Sequence, residues 1–209
     1  PLTQVRLKAP LPRPGKMLCM AGNFMESGTL AEPHPINAFL KSPTATIGHG
    51  DTVVIPSAAA TIFEHEAELG LVIGKAARHV KASAGYNHIF GYVNFIDVSA
   101  RGLGGSPPMD TFYPGKSWHT FCPMGPYLVT ADEVLDPQNL KVRLWINGEL
   151  RQEYSTNDMA QPIPEIIEWA SRITALDPGD VFACGTNHRG LSPLQDADVM
   201  EMEVEGLDR

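Results

Sequence analysis

Cysteine is scarce in this chain: three residues in 209, at positions 19, 122 and 184, with no CxxC pair. So sparse and odd a count excludes a disulfide framework and fits buried thiols in a reducing compartment, which sets the expectation of a cytoplasmic protein. Long apolar runs are also missing. None approaches the roughly 18 residues that a membrane-crossing helix needs, so no membrane partner is expected. The opening PLTQVRLKAPLPRPGKM lacks the charged, apolar and small-residue order of a secretory leader. Lysine and arginine form no cluster, and the net charge is −8, which argues against nucleic acid as a partner. The histidines show neither HExxH nor HxxxH spacing and none pairs with a cysteine, so zinc is not indicated. GxGxxG, GxxxxGKS/T and GxSxG are absent, which removes the dinucleotide, P-loop and serine-hydrolase readings.

What is present is a normal globular composition, 43% hydrophobic, long enough for one sizeable core and therefore a single domain over residues 1–209. Nineteen glycines and 18 prolines punctuate the chain at short intervals, which favours many short strands over a helical bundle. Strands are expected at 17–21, 37–40, 52–55, 65–73, 89–97, 127–130, 141–146, 151–155, 181–184 and 199–204. Asn147-Gly148 and the stretch DPGD at 177–180 read as turns. Ile163, Ile166, Ile167, Ala170 and Ile173 recur at helical spacing, predicting one clear helix at 162–173, with a shorter one at 80–86. The Gly/Pro-rich stretch 102–115 reads as a loop. The fold class is α+β, mainly β.

The chemistry-bearing stretch is IFEHEAELGLVIGK, residues 62–75. In a strand, residues two apart share a face, so Glu64, Glu66 and Glu68 line up beside an apolar run. Buried carboxylates without partners are costly. An oxygen-preferring divalent cation resolves the conflict; so does an edge strand whose glutamates face water, and the strand alone does not decide between them. A second element, GYVNFIDVSARG, ends an apolar strand on Asp97, a candidate third ligand, followed by Arg101, a candidate carboxylate clamp.

The ordered segments FEHEAELGLVIGK, GYVNFIDVSARG, GKSWHTFCPMGPYLV, INGELRQEYSTNDM and LDPGDVFACGT resemble the fumarylacetoacetate hydrolase family over nearly the whole chain. The resemblance implies a mixed β-sandwich roll and a homodimer. It also implies an enzyme acting on a small-molecule 2-oxo or 2,4-dioxo acid: foremost a C–C hydrolase of an acylpyruvate-like acid, otherwise a decarboxylase, isomerase or hydratase. A protein that keeps the fold and cation but has lost its chemistry is the reading outside enzymology. By the resemblance Glu66, Glu68 and Asp97 hold Mg²⁺ (or Mn²⁺, Ca²⁺), with Glu64 outside the ligand set. Lys116 polarises the substrate or relays a proton, and Lys41, Arg101, Gly185 and Thr186 bind the substrate. The sequence departs from the family at several places, among them Ser42 for the proline after Lys41 and Gly104 for the glutamine three residues after the arginine. Where relatives carry a lid histidine and glutamate, this chain has Ser27 and Leu30, which leaves His34 as the nearest candidate base in the segment 25–35. After Gly185-Thr186, where relatives continue with Pro or Ile, it reads Asn187-His188-Arg189-Gly190.

Overall fold

The computed structural model describes residues 5–103 and 112–209. Along the chain the strands are β1 (Met17–Met20), β2 (Ala38–Lys41), β3 (Thr46–Ile47), β4 (Ile62–Glu64), β5 (Ala67–Ile73), β6 (Ile89–Ile96) and β7 (Ser99–Arg101). The short helix α1 (Phe112–Lys116) follows, then β8 (Cys122–Pro123), β9 (Val129–Thr130), β10 (Lys141–Ile146), β11 (Glu149–Ser155), helix α2 (Ile163–Ile173), β12 (Val181–Ala183) and β13 (Met200–Val204). A six-stranded mixed sheet runs β2-β1-β12-β5-β6-β9, and a three-stranded sheet runs β11-β10-β13. β3 pairs with β8 and β4 with β7 in two small ladders. The expected α+β, mainly β class is what forms. Among the described residues no helix is long and apolar enough to cross a membrane.

The central sheet is buried on both faces, and the period of two shows how. Leu69, Leu71 and Ile73 of β5, Tyr92 and Ile96 of β6 and Phe182 of β12 face the larger core, with Val142, Leu144, Ile146, Val204 and the α2 residues Ile163, Ile166, Ile167 and Ala170. The alternate residues Met17, Cys19, Val72, Val93, Phe95, Val181 and Ala183 face a second core closed by Phe39, Ala45, Cys122 and Met124. A strand covered on both sides reads as a continuous apolar run, as β5 does after Glu68. Any charged group on such a strand needs a partner.

The hairpin β10–β11 turns on Asn147 (φ 52°) and Gly148 (φ 78°), a left-handed pair that suits the twist of the flanking strands. Helix α2 starts as its prolines predict: Pro164 has no N–H to satisfy, and the Ile163 N–H donates to Gln138 Oε1 at 2.9 Å.

Several expectations are corrected. Residues 52–55 form no strand; the Val54 N–H donates to Thr120 Oγ1 (2.8 Å) instead of to a neighbouring ladder. Ile173 is 68% exposed because ten residues of helix rotate it about 80° from Ile163, off the apolar stripe. The expected short helix at 80–86 is a 3-10 segment, Ala82–His88. The expected strand 65–73 begins only at Ala67, and Glu64 lies in β4, hydrogen-bonded to a different sheet. Of the expected loop 102–115, residues 104–111 lie outside the described residues, and 112–116 are helical.

Candidate active site

Strand register brings the acids together. β5 and β6 pair Ala67 with Ile96 and Glu68 with Phe95, so the next pair outward is Glu66 and Asp97. The Asp97 N–H donates to the Glu66 carbonyl at 2.8 Å, carrying the ladder one step past the strand ends. Glu66, Glu68 and Asp97 each present a carboxylate oxygen, all within 4.8 Å of one another. They are 4%, 1% and 0% exposed. Like charges opposite one another on paired strands repel, and burial strips their hydration, so the cluster requires cations.

Three protein cations answer. Lys116 Nζ donates to Glu66 Oε2 at 2.6 Å and to Asp97 Oδ2 at 2.8 Å. Lys41 Nζ donates to Asp97 Oδ1 and, at 3.3 Å, to the Val98 carbonyl. Arg101 bridges outward, from Nη2 to Glu66 Oε1 and from Nε to Glu64 Oε2 at 3.0 Å. Burial works against the Asp97 carboxylate, but the Lys116 and Lys41 ammoniums outweigh it and hold its carboxyl below the usual range. Burial works against the Lys116 ammonium too, and Asp97 and Glu66 outweigh it, keeping that group above its ordinary value.

Glu68 is different. Among the described residues no ammonium or guanidinium donates to it; it accepts the Gly185 N–H at 2.7 Å. Burial, reinforced by Asp97 and Glu66, pushes its carboxyl well above the ordinary value. The cluster therefore contains one buried carboxylate short of counter-charge, inside a donor set made only of oxygen. That chemistry fits a hard divalent cation.

Gly185 can meet Glu68 through its backbone because it sits at φ 88°, and a Cβ there would come within 3.2 Å of Asn23 Cβ. Thr186 is buried; its Oγ1 accepts from Gln152 Nε2 at 3.0 Å. Lys41, Arg101, Lys116 and Gly185 thus each contact one or more of the three acids, and Thr186 follows Gly185 with its hydroxyl on Gln152 and Tyr154. His34 does not join them. It is exposed, with its ring against Gly22, and among the described residues it makes no hydrogen bond to the cluster. Ser27 lies in the left-handed region (φ 56°), its N–H donating to Asp158 Oδ2 at 2.9 Å and its Oγ accepting from Asn187 Nδ2 at 3.2 Å. A cavity of about 410 Å³ opens along β2 and α1 past Phe39, Phe112 and Tyr113. The three cysteines are buried, and burial disfavours their thiolates, pushing Cys122 up to about 12 and Cys19 and Cys184 well above the ordinary value.

Sequence reasoning missed two groups. Gln152, fully buried, accepts from the Ala67 N–H (3.1 Å) and from His65 Nδ1 (3.0 Å), and donates to Thr186 Oγ1 and the Asn187 carbonyl (2.8 Å). His65 Nε2 then accepts from Ser192 Oγ at 3.0 Å. The other group is Glu26 with His188, paired at 2.6 Å across 162 residues. No spacing rule reaches that far; the only signal was that both residues lie in segments departing from the family pattern.

A family model described as fumarylacetoacetate (FAA) hydrolase C-terminal matches residues 16–209. The chain belongs to that family. It is similar to oxaloacetate tautomerase YisK of Bacillus subtilis (strain 168), 37% identical, with 99% of this chain and 72% of the relative covered. Among solved structures it is similar to 5-carboxymethyl-2-hydroxymuconate delta-isomerase from Mycobacterium smegmatis (35% identity, TM-score 0.88, covering 100% of this chain and 81% of that one). It is equally similar to maleylpyruvate hydrolase from Sphingobium sp. SYK-6 in complex with manganese(II) and pyruvate (35%, TM-score 0.88, covering 99% and 72%).

Proposed function

We propose that this protein is a divalent-cation-dependent enzyme of small 2-oxo acids, and that its reaction is proton transfer at the carbon next to the 2-oxo group. The observation that carries this reading is Glu68, a buried carboxylate without a cationic partner, beside Glu66 and Asp97. Those three residues would hold Mg²⁺, Mn²⁺ or Ca²⁺. When bound, the cation supplies positive charge to the oxygens of a 2-oxo carboxylate and favours negative charge on the oxo oxygen. Lys116, released from Glu66 and Asp97 once a cation shares them, stands ready to donate to that oxygen. Arg101, partly exposed, serves a second carboxylate of the substrate, and Thr186 and the Gly185 backbone fix its first. Lys41, fully buried on Asp97, keeps that ligand ionised and aimed.

Two relatives named above, a tautomerase and an isomerase, carry out chemistry that needs this step alone, which supports placing it first. C–C hydrolysis, as in the maleylpyruvate hydrolase, additionally needs an activated water, and neither Ser27 nor Leu30 provides a base for one. The test is product analysis with Mg²⁺- or Mn²⁺-loaded protein offered enol-oxaloacetate, acylpyruvates and 2-hydroxymuconate-type dienes. Enol–keto conversion or double-bond migration faster than in buffer is the expected result. Cleavage to pyruvate and an acid would install the hydrolase reading, and no acceleration with any 2-oxo acid would overturn both.

A further inference from the structure

We infer that Glu26 and His188 are the proton-transfer pair of this enzyme: His188 exchanges a proton with the substrate, and Glu26 is the positioning residue that holds it. The inference rests on the 2-oxo acid reading above. One Glu26 carboxylate grips His188 twice, with Oε1 2.6 Å from ring Nδ1 and Oε2 accepting the backbone N–H at 2.8 Å. A nitrogen facing a carboxylate carries the proton, so Nδ1 is the N–H and Nε2 holds the free lone pair. The Glu26 side chain is 15% exposed and that of His188 46%, so the pair is held from below while the ring remains open to a ligand.

The placement follows from both segments. His188 stands three residues beyond Gly185, whose N–H contacts Glu68, and three residues of extended chain reach at most about 11 Å. The other segment is fastened to the same loop. Glu26 and Ser27 are consecutive non-glycine residues at φ 54° and 56°, a strained backbone that persists only where its surroundings hold it. Asp158 does so: its carbonyl accepts the Met25 N–H (2.9 Å), and its Oδ2 accepts the Ser27 N–H and Asn187 Nδ2 (2.8 Å). The segments around Glu26 and His188, each departing from the family pattern, therefore meet in space. A histidine missing on one segment is matched by a histidine gained on the facing one, with a glutamate beside it.

The step balances without a further reactant. The C3–H bond of the 2-oxo acid breaks and its proton goes to Nε2. The electron pair becomes the C2–C3 double bond, and the carbonyl pair moves to the oxo oxygen. Glu26 faces the imidazolium that forms. The proton then leaves Nε2 through water and one is taken up by the oxo oxygen, giving the enol and restoring the neutral ring.

The experiment uses the full chain loaded with Mg²⁺ or Mn²⁺ and three variants, His188→Ala, His188→Gln and Glu26→Ala. Enol–keto conversion of oxaloacetate in His188→Ala should fall at least about 100-fold in kcat, the scale of general acid–base catalysis, with KM and Mn²⁺ affinity within about twofold. His188→Gln should lose as much, although its amide can still donate to Glu26; recovery there would make the pair a mere latch and overturn the inference. Glu26→Ala should lose about tenfold. Two readouts do not depend on turnover. Nitrogen NMR of the metal-free protein should find His188 protonated on Nδ1 in the wild type and lose that preference in Glu26→Ala. Mn²⁺-induced relaxation, which falls with the sixth power of distance, should be stronger at the His188 ring than at its own backbone N–H; the reverse order would show the ring facing away and overturn the inference. If the wild type accelerates no 2-oxo acid, the functional reading fails, and the two NMR readouts still decide whether the pair addresses the acidic cluster.

Discussion

Around Glu66, Glu68 and Asp97, side chains are aimed by strand register: alternate steps of the β5–β6 ladder, with Ala67 and Ile96 between them, set the three acids on one face. Around Glu26 and His188 they are aimed by loops, by left-handed backbone at Glu26 and Ser27, and by a single aspartate that accepts from both segments. The first region is buried, with three cations facing four carboxylates and none of them donating to Glu68; the second is half exposed and tied by few bonds. Register cannot shift by one residue without turning the whole apolar run of β5 inside out, so the acidic cluster is locked to the fold. The mouth is under no such constraint.

The largest effect separating the regions is predicted at Asp97. Asp97→Ala should abolish cation binding and turnover and also cost about 3–5 kcal/mol in urea unfolding with chelator present, because Lys41 and Lys116 are left buried without that acceptor. Glu68→Gln should abolish cation binding equally, yet leave metal-free stability unchanged or higher. Its amide oxygen still accepts the Gly185 N–H, and the neutral amide resembles the protonated carboxyl that burial, Asp97 and Glu66 favour when no cation is bound. Equal destabilisation by both changes would show that Glu68 is already compensated and would remove the main support for a cation.

How much of this was legible follows the same division. Glu66, Glu68 and Asp97 were readable because strand periodicity is local and because acids beside apolar residues demand an explanation. Lys41, Arg101 and Lys116 were placed by resemblance; nothing in their spacing shows that Lys41 crosses from β2 to reach Asp97. Glu64 was set on the same strand face as its neighbours, whereas the chain breaks at His65, whose ring turns to Gln152 and Ser192. Residues 52–55 carry the composition of a strand but have no neighbour to pair with, a fact that sequence pattern does not contain. The Glu26–His188 pair is a contact across 162 residues, invisible to any window of sequence.

Next in size is Lys116. Lys116→Met should lower turnover about 100-fold or more while tightening Mg²⁺ or Mn²⁺, since an ammonium competing for Glu66 and Asp97 is removed. Calorimetric titration beside kinetics checks both signs. Weaker cation binding in this variant would mean that the lysine supports the acids more than it competes for them. A smaller change is expected for Gln152→Leu, which joins the two regions. It strips partners from the Ala67 N–H, His65 and the Asn187 carbonyl, so stability should fall by about 1–3 kcal/mol. Because the 186–187 loop loses its tether to β5, KM should rise more than kcat falls, with cation affinity unchanged. A loss of cation affinity as large as the KM effect would place Gln152 in the support of the acids instead.

The smallest effects are predicted where sequence alone looked for the base. His34 is exposed and lies against Gly22, and among the described residues no hydrogen bond joins it to the acids, so His34→Ala should leave stability within about 0.5 kcal/mol and turnover within about twofold. Ser27→Ala removes one acceptor from the Asn187 amide, but Asp158 Oδ2 still accepts it at 2.8 Å, and the Ser27 backbone bond to the same aspartate is untouched. Alanine tolerates φ near 56° about as poorly as serine does, so the strain is unchanged and the cost should stay below about 1 kcal/mol. Kinetics of the two variants beside His188→Ala make the comparison decisive. Should His34→Ala lose as much activity as His188→Ala, the segment 25–35 must swing over the acids when substrate binds, and the proton-transfer role would pass from the clamped loop to the moving one.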